Sequence, residues 1–556
     1  MLTSDHKGAI VREPQRGLGR VALWVLVVAG ALLLYGLSVW WGELNQDEGW
    51  YLYAGRMVAE QHLPYQDFVF TQGPVMAYVY ALAYPLVQWQ GVLAGRMITM
   101  LLGWLALGLA MYLTRVLALR KGQDPFVPML LVAAFWGLNL YQVYFTTIVK
   151  TYALTAVCVL AGLVLLERAL AGAAANLASA KRIFLLSLIG GVFLALAAGT
   201  RLSAAVLLPA CWLPLAVRWI RMQRPAGLQY WLLGFLVGGT MGIVAVFGPF
   251  VLLAPQGLHF GLLAYHAGRT AETPFAALAY KGGFVLRLVH AYWPLLAAAM
   301  LLPWMYRGKL WQLRSPAIGA VHLPLGVGFV AVTLVHLLSV FPYDDYQVFI
   351  MPLAMILVAL PLARVLEQIH KQQSVRLRWM GGLLMALLLF SLSGAQLQSW
   401  LVGPRDVIWW PLRERAAMGQ LRDVGQQIRG GRTRAAVDGT MITQDLYVAV
   451  ESGYRVPRGM EMGPFSNFWD LSDTEAARFG VLHYAGMYAM AADTDAEWAV
   501  YSDYGFSIAV PAIVPVDPEK RETLLGALHA RFDLVDVIPA FGQAMTELRI
   551  YQRRRP

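Results

Sequence analysis

Cysteine is almost missing. The two present, Cys158 and Cys211, both sit inside apolar runs, so a disulfide framework is excluded and packing is their expected role. Charge is scarce as well: Asp, Glu, Lys and Arg make up 14% of 556 residues against 58% hydrophobic. One soluble core cannot hide that much apolar surface, which predicts a polytopic α-helical membrane protein. Also lacking are an internal repeat, a low-complexity tract, a phosphate-cradling P-loop and a dinucleotide fingerprint. The net charge of +11 does not point to nucleic acid, because the basic residues cluster between apolar runs and no basic face with interleaved aromatics occurs.

The apolar runs set the organisation. A first helix spans Val21 to Trp41, too long for a signal-peptide core and without a small-residue cleavage site. Ten more follow at about 93–114, 126–142, 152–166, 183–199, 202–217, 230–253, 285–306, 320–341, 346–363 and 379–398, giving about eleven transmembrane helices. Alternating them places every basic cluster on one side: Lys7 to Arg20, Arg115 to Lys121, Arg168 to Arg182, Arg218 to Arg224, Arg307 to Arg314 and Arg364 to Arg378. By the positive-inside rule that side, with the N-terminus, is cytoplasmic. The opposite side receives the loop 42–91, the turn at Lys150, the corner at Thr200 and Arg201, the loop from Pro255 to Gly283 and the segment from Phe341 to Gln347, so functional polar groups are expected there. The small-xxx-small pair Gly234 and Gly238 reads as close helix packing.

Past Ser399 the composition turns to that of an ordinary soluble domain. We divide the chain into a membrane domain, 1–400, and a small C-terminal α/β extracytoplasmic domain, 401–556. Strands are expected at Arg434 to Val437, Trp498 to Tyr501, Leu534 to Ile538 and Thr546 to Tyr551. Helices are expected at Gln444 to Glu451, Asp473 to Ala491 and Pro518 to Ala530.

The loop 42–91 is the unusual stretch. It holds five carboxylates, Glu43, Asp47, Glu48, Glu60 and Asp67, against the single base Arg56, among many aromatics. Asn45 and Glu48 have capping-box spacing ahead of an amphipathic segment, which predicts a short interfacial helix. On that reading Glu48 is a cap, and Asp47 merely complements the positive helix end. Val75 to Trp89 is short for a span and is read as lying along the interface.

The pattern Asp47-Glu48-Gly49-Trp50-Tyr51, then Leu63-Pro64-Tyr65-Gln66-Asp67-Phe68 and Gln72-Gly73-Pro74, resembles the first luminal loop of the GT-C superfamily. The likeness is to the branch holding protein O-mannosyltransferases and bacterial lipid A aminoarabinose transferases. It extends in helix order over about the first 400 residues, with a Gly199-Thr200-Arg201 corner and a Tyr-rich stretch from Tyr343 to Pro352. The last domain is not covered.

The resemblance implies a GT-C-like fold in the bacterial inner (plasma) membrane. It also implies transfer of a sugar from a polyprenyl-phosphate-linked donor to a hydroxyl acceptor (lipid, glycan or protein) at the outer face, with inversion. Asp47 resembles the family's catalytic aspartate and would serve as general base, with Glu48 beside it and Asp67 orienting the base or the sugar. The departing phosphate needs fixed cations. Arg201 is the first candidate, since a charge beside an apolar run needs a partner; the plain alternative is an arginine snorkelling at a helix end. Lys150, Arg269 and Lys281 follow, then Arg287. Tyr65, Gln72, Tyr343 and Tyr346 are placed in the donor or acceptor cavity, whereas Asp344 and Asp345 read as solvated turn acids. No cofactor is required by the sequence. A divalent ion on Asp47 or Glu48 is an open option, and His259 and His266 lack a third ligand for zinc. Competing readings are a lipid-linked glycan transporter or flippase, which would show inverted repeats, and a polysaccharide polymerase or ligase, whose large loop falls between late helices.

Overall fold

The computed structural model describes residues 13–174, 178–221, 227–269, 273–306, 322–371, 415–469, 471–505 and 516–554. Helix α1 (Glu13–Trp41) leads into the acidic loop, which folds as α2 (Gln46–Ala59), α3 (Val75–Leu82) and α4 (Tyr84–Gln90). The last two are far too short to cross a bilayer, as expected for interfacial segments. Then come α5 (Val92–Arg120), α6 (Phe126–Gly137), α7 (Leu140–Phe145), α8 (Thr151–Ala174), α9 (Ala180–Thr200), α10 (Leu207–Arg221) and α11 (Leu228–Leu253). The chain goes on through α12 (Pro255–His259) and α13 (Tyr265–Ala267), joined by a π-turn, to α14 (Pro274–Tyr306), α15 (His322–Leu338) and α16 (Met351–Lys371).

Among the described residues seven helices are long and apolar enough to span: Gly19–Trp41, Val92–Arg120, Thr151–Ala173, Ala180–Thr200, Leu202–Arg221, Leu228–Leu253 and Pro274–Leu302. The run at 126–142 is divided, because α6 stops at Gly137 and Asn139 caps a fresh helix by accepting the Gln142 amide. The run at 346–363 enters through a 3-10 turn, Asp344–Gln347. The span expected at 379–398 lies outside the described residues.

Helices α9 and α11 pack at the distance that glycine allows. A Cβ on Gly238 would stand 2.0 Å from the Leu188 carbonyl oxygen, and one on Gly234 would stand 2.4 Å from that of Phe184, so the small-xxx-small pair does what its spacing predicts. Arg20 pairs with Asp124, Arg120 with Glu167, and Arg364 donates to the Lys121 carbonyl. The start of α1 and the ends of α5, α8 and α16 therefore share one end of the bundle. The acidic loop, Lys150, Arg201 and the 3-10 turn meet at the other.

At that other end sits an α/β layer. Helix α17 (Ala417–Arg429) precedes β1 (Met441–Ile442) and α18 (Leu446–Ser452); α19 (Asp473–Phe479) and α20 (Tyr484–Ala492) then lead to β2 (Trp498–Ser502). Helix α21 (Pro518–His529) and the strands β3 (Phe532–Phe541) and β4 (Thr546–Arg553) complete it. The sheet runs β1-β2-β4-β3, parallel only between β1 and β2. Two expectations change here. Arg434–Ala436 is a 3-10 turn, the strand lying farther on at β1, because Arg434 turns back to Glu451. The helix expected over 473–491 is broken by Gly480 at φ +66°, left-handed backbone that glycine adopts without a Cβ clash.

One buried residue ties the loop to the bundle. Arg96, in the first turns of α5, donates Nε to Glu48 Oε2 (2.8 Å) and Nη2 to Glu48 Oε1 (2.6 Å) and the Glu43 carbonyl (2.7 Å). Its Nη1 reaches the carbonyls of Ser38, Val39 and Gly42. Both partners of the ion pair are fully buried. Removing one partner of such a pair leaves an uncompensated charge. Glu48→Gln should thus destabilise the protein by about 3–5 kcal/mol although a glutamine can still cap α2. The thermal midpoint of the detergent-purified variant reads this, and an unchanged midpoint would refute it.

Candidate active site

The start of α2 fixes the first functional group. Asn45 Oδ1 accepts the Asp47 amide and Glu48 Oε1 accepts the Asn45 amide, closing the capping box that the spacing predicts. Successive helical residues point about 100° apart. With Glu48 directed inward to Arg96, Asp47 faces a cavity of about 390 Å³ between the helix ends and the α/β layer.

Asp47 is held there from two sides. Its Oδ1 accepts the Trp50 indole N–H at 3.1 Å, and its Oδ2 lies 3.1 Å from Lys150 Nζ. Lys150 also donates to Asp345 Oδ2 at 2.8 Å, which accepts the Tyr152 hydroxyl as well. Burial alone would lower the Lys150 ammonium, but Asp345 and then Asp47 outweigh it and hold it well above its ordinary value. Burial likewise works against ionisation of Asp345, yet Lys150 carries its carboxyl below the usual range. The result is an acid–lysine–acid chain, Asp47–Lys150–Asp345. Beside it Asp344 accepts from Arg287 (2.7 Å) and from the Tyr141 hydroxyl. Asp344 and Asp345 are thus buried and paired, not solvated turn acids.

Two further arginines line the same cavity. Arg201, at the end of α9, stacks 4.1 Å over the Tyr346 ring and 5.0 Å from that of Tyr152, and among the described residues its side chain makes one hydrogen bond, Nη1 to Thr151 Oγ1. Arg269 lies 4.9 Å over Tyr265 and donates to its hydroxyl. The buried Nε of each has no acceptor, and neither has a carboxylate partner among the described residues. A cation–π contact orients a guanidinium without cancelling its charge. His266 lines the same cavity, and its Nε2–H donates to the Thr71 carbonyl at 3.0 Å.

The other expected site residues divide. Gln72, Tyr343 and Tyr346 line the cavity. Glu48 does not, its carboxylate being committed to Arg96. Asp67 closes the turn at Leu63 by accepting its amide (2.6 Å). Tyr65 packs against Phe250 and donates to the Gln72 carbonyl, outside the cavity lining. Lys281 Nζ caps the end of α15 on the carbonyls of Leu337 and Ser339. Lys150 faces the cavity, but two carboxylates already engage it. Met462, Phe465, Tyr504 and Gln543 of the α/β layer complete the wall. Among the described residues no group of three His, Cys, Asp or Glu is arranged to hold a metal.

This bundle of membrane helices, with interfacial helices and an acid-lined cavity at its first loop and a small mixed sheet above, shares its fold with solved membrane proteins. ArnT from Cupriavidus metallidurans, in its apo state, matches with a TM-score of 0.56 at 16% identity over 96% of this chain and 98% of that one. Bound to undecaprenyl phosphate, ArnT gives 0.54 at 15% over 95% and 97%. The Archaeoglobus fulgidus oligosaccharyltransferase AglB, in complex with an inhibitory peptide and a dolichol-phosphate, gives 0.47 at 11% over 88% and 70%. No sequence-family model and no curated protein matches the chain.

Burial lowers the His266 imidazole to about 4; the Thr71 carbonyl opposes this, and Arg269 and Arg201 add to it. The folded state thus resists a proton that the unfolded chain accepts near 6.5. Stability should fall as pH drops from about 6.5 toward 4, and His266→Gln should flatten that part of a thermal-midpoint profile. An unaltered slope in the variant would assign the acid sensitivity elsewhere.

Proposed function

We propose that this protein is a membrane glycosyltransferase that moves a sugar from a polyprenyl-phosphate-linked donor to a hydroxyl acceptor, with inversion. The observation that carries this reading is one cavity holding both the Asp47–Lys150–Asp345 chain and two arginines without carboxylate partners among the described residues. Phosphate chemistry asks for such cations, and a hydroxyl nucleophile asks for such a base. The fold shared with ArnT, whose structure holds undecaprenyl phosphate, supports the carrier class.

In the proposed step the acceptor oxygen attacks the anomeric carbon while the bond from that carbon to the phosphate oxygen breaks. The hydroxyl proton passes to Asp47. The electron pair of the broken bond stays on the phosphate, whose rising charge Arg201 and Arg269 offset by charge-assisted hydrogen bonds from N–H groups that now have no acceptor. Trp50 and Lys150 hold the Asp47 carboxylate in its rotamer, which keeps the base in reach without reorganisation. No step is routed through a metal ion, Glu48 being committed to Arg96. We place the basic end of the bundle and the N-terminus in the cytoplasm, and the cavity and the α/β layer outside, with the two domains meeting near residue 400.

Asp47→Asn keeps the shape and removes the basic carboxylate. It should lower release of polyprenyl phosphate from a panel of lipid-linked sugars by at least roughly 100-fold, while binding of undecaprenyl phosphate persists. Arg201→Ala should do the reverse, weakening carrier binding before turnover at saturation. A folded Asp47→Asn protein with near-normal release would remove Asp47 from the mechanism.

A further inference from the structure

Outside the cavity, three arginines gather beside the end of α4. Arg422 and Arg429, seven apart on α17 and hence on one face, stand with Arg434 around a single carboxylate, Glu451. Arg434 ion-pairs with Glu451 and donates Nη1 to the Trp89 carbonyl. Arg429 donates to the Glu451 carbonyl, and Arg422 Nη2 reaches Gln90 Oε1 at 3.5 Å. Arg422 and Arg429 have no carboxylate partner among the described residues. Asp423, next in sequence, is exposed and points about 100° round the helix. Crowding is evident in the Arg429 guanidinium, which burial and then the charges of Arg434 and Arg422 lower from its ordinary value. The cleft on the other side of Arg434 differs, for there Glu60 pairs with both Arg56 and Arg455.

The surroundings of the cluster belong to a membrane surface. Trp89 is 70% exposed, and Met97, Leu101 and Leu105 below it form an exposed stripe at four-residue spacing along α5, the lipid-facing side of that span. Trp40, at the end of α1, is exposed as well, and α17 packs against α1 and α18. Exposed tryptophans above an apolar stripe mark the headgroup level. Arg422 and Arg429 therefore stand where lipid phosphates lie, with N–H groups to spare.

From this juxtaposition we propose that the Arg422–Arg429–Arg434 cluster is a binding site for the headgroup of an anionic phospholipid, separate from the cavity and seating the α/β layer on the bilayer. The ligand chemistry is a phosphate diester carrying net negative charge in a bilayer leaflet. Free inorganic phosphate shares the charge but lacks the chains.

Native mass spectrometry of the full chain in neutral detergent, titrated separately with phosphatidylglycerol and phosphatidylcholine, tests the site. An interfacial arginine is worth about a factor of 5 in affinity for an anionic lipid. The double variant Arg422→Gln/Arg429→Gln should weaken phosphatidylglycerol binding roughly 30-fold and leave phosphatidylcholine binding unchanged. Arg422→Gln alone gives up, among the described residues, one side-chain hydrogen bond, the 3.5 Å contact to Gln90, and leaves the Arg434–Glu451 pair in place; it should weaken binding about fivefold, and replacing both arginines by lysine should retain it. Unchanged phosphatidylglycerol binding in the glutamine variants overturns the proposal. So does equal binding of the two lipids by the unmodified protein, or displacement of phosphatidylglycerol by millimolar inorganic phosphate.

Discussion

Everything around the cavity depends on the Arg96 guanidinium, a charge placed where water does not reach. Desolvating such an ion costs several kcal/mol, and only full use of its donors offsets that. Arg96 meets the condition by drawing in the last turn of α1, the loop at Gly42 and Glu43, and the first turn of α2. Three separate pieces of chain thereby acquire one arrangement. Glu48 is fixed by this knot, and its neighbour Asp47 is consequently aimed the other way. The orientation of the acid that faces the cavity is set by the acid that does not.

The cavity is then organised by which cations meet carboxylates and which meet rings. Lys150 is engaged by Asp47 and Asp345, and Arg287 by Asp344, so in that part of the site three carboxylates meet two cations. Arg201 and Arg269 lie over Tyr346 and Tyr265 instead. A ring face fixes the position of a guanidinium yet leaves its monopole intact, so a positive field persists around each. A site with one evenly neutralised lining would bind neither a phosphate nor the proton of a hydroxyl with preference. Separation of the two kinds of partner is what gives the cavity a direction.

Local signals in the sequence carried as far as local physics does. The capping box at Asn45 and Glu48, the interfacial break at Pro74 and the Arg201 corner could be read directly, since each is decided within a few residues. The Arg96 knot was hidden in an apolar run, although a lone arginine there was a sign that a counter-ion had to exist. Asp344 and Asp345 read as ordinary turn acids because their partners Lys150, Tyr141 and Arg287 lie between 57 and 203 residues away, beyond any periodicity. Lys281 and Asp67 had the right charge in the right segments, but nearby carbonyls and a nearby amide claimed them first. The misplaced strand at Arg434 has the same origin, a side chain recruited by a distant buried carboxylate.

The α/β layer is part of the scaffold that holds Asp47 and not an appendage to it. The amide of Gln46, one of the donors that a helix start leaves open, is taken by Gln543 Oε1 at 2.9 Å. The Gln46 side chain donates to Asp445 Oδ1 at 2.6 Å. Asp445 is itself buried, and although burial pushes its carboxyl up, bonds from Gln46, Ser502 and Tyr447 counter this. Arg56 reaches the carbonyls of Gly453 and Tyr454, and the Tyr53 hydroxyl accepts the Val456 amide. Three successive turns of α2 are thus tied to the layer, while the opposite side of the same helix is tied to Arg96. Lifting the layer away would strip the Gln46 amide of its acceptor and leave the buried Asp445 short of a donor, each a cost of about 1–3 kcal/mol. A helix clamped on both sides in this way presents Asp47 to the cavity in one orientation, which is the condition that the base role we propose for it sets.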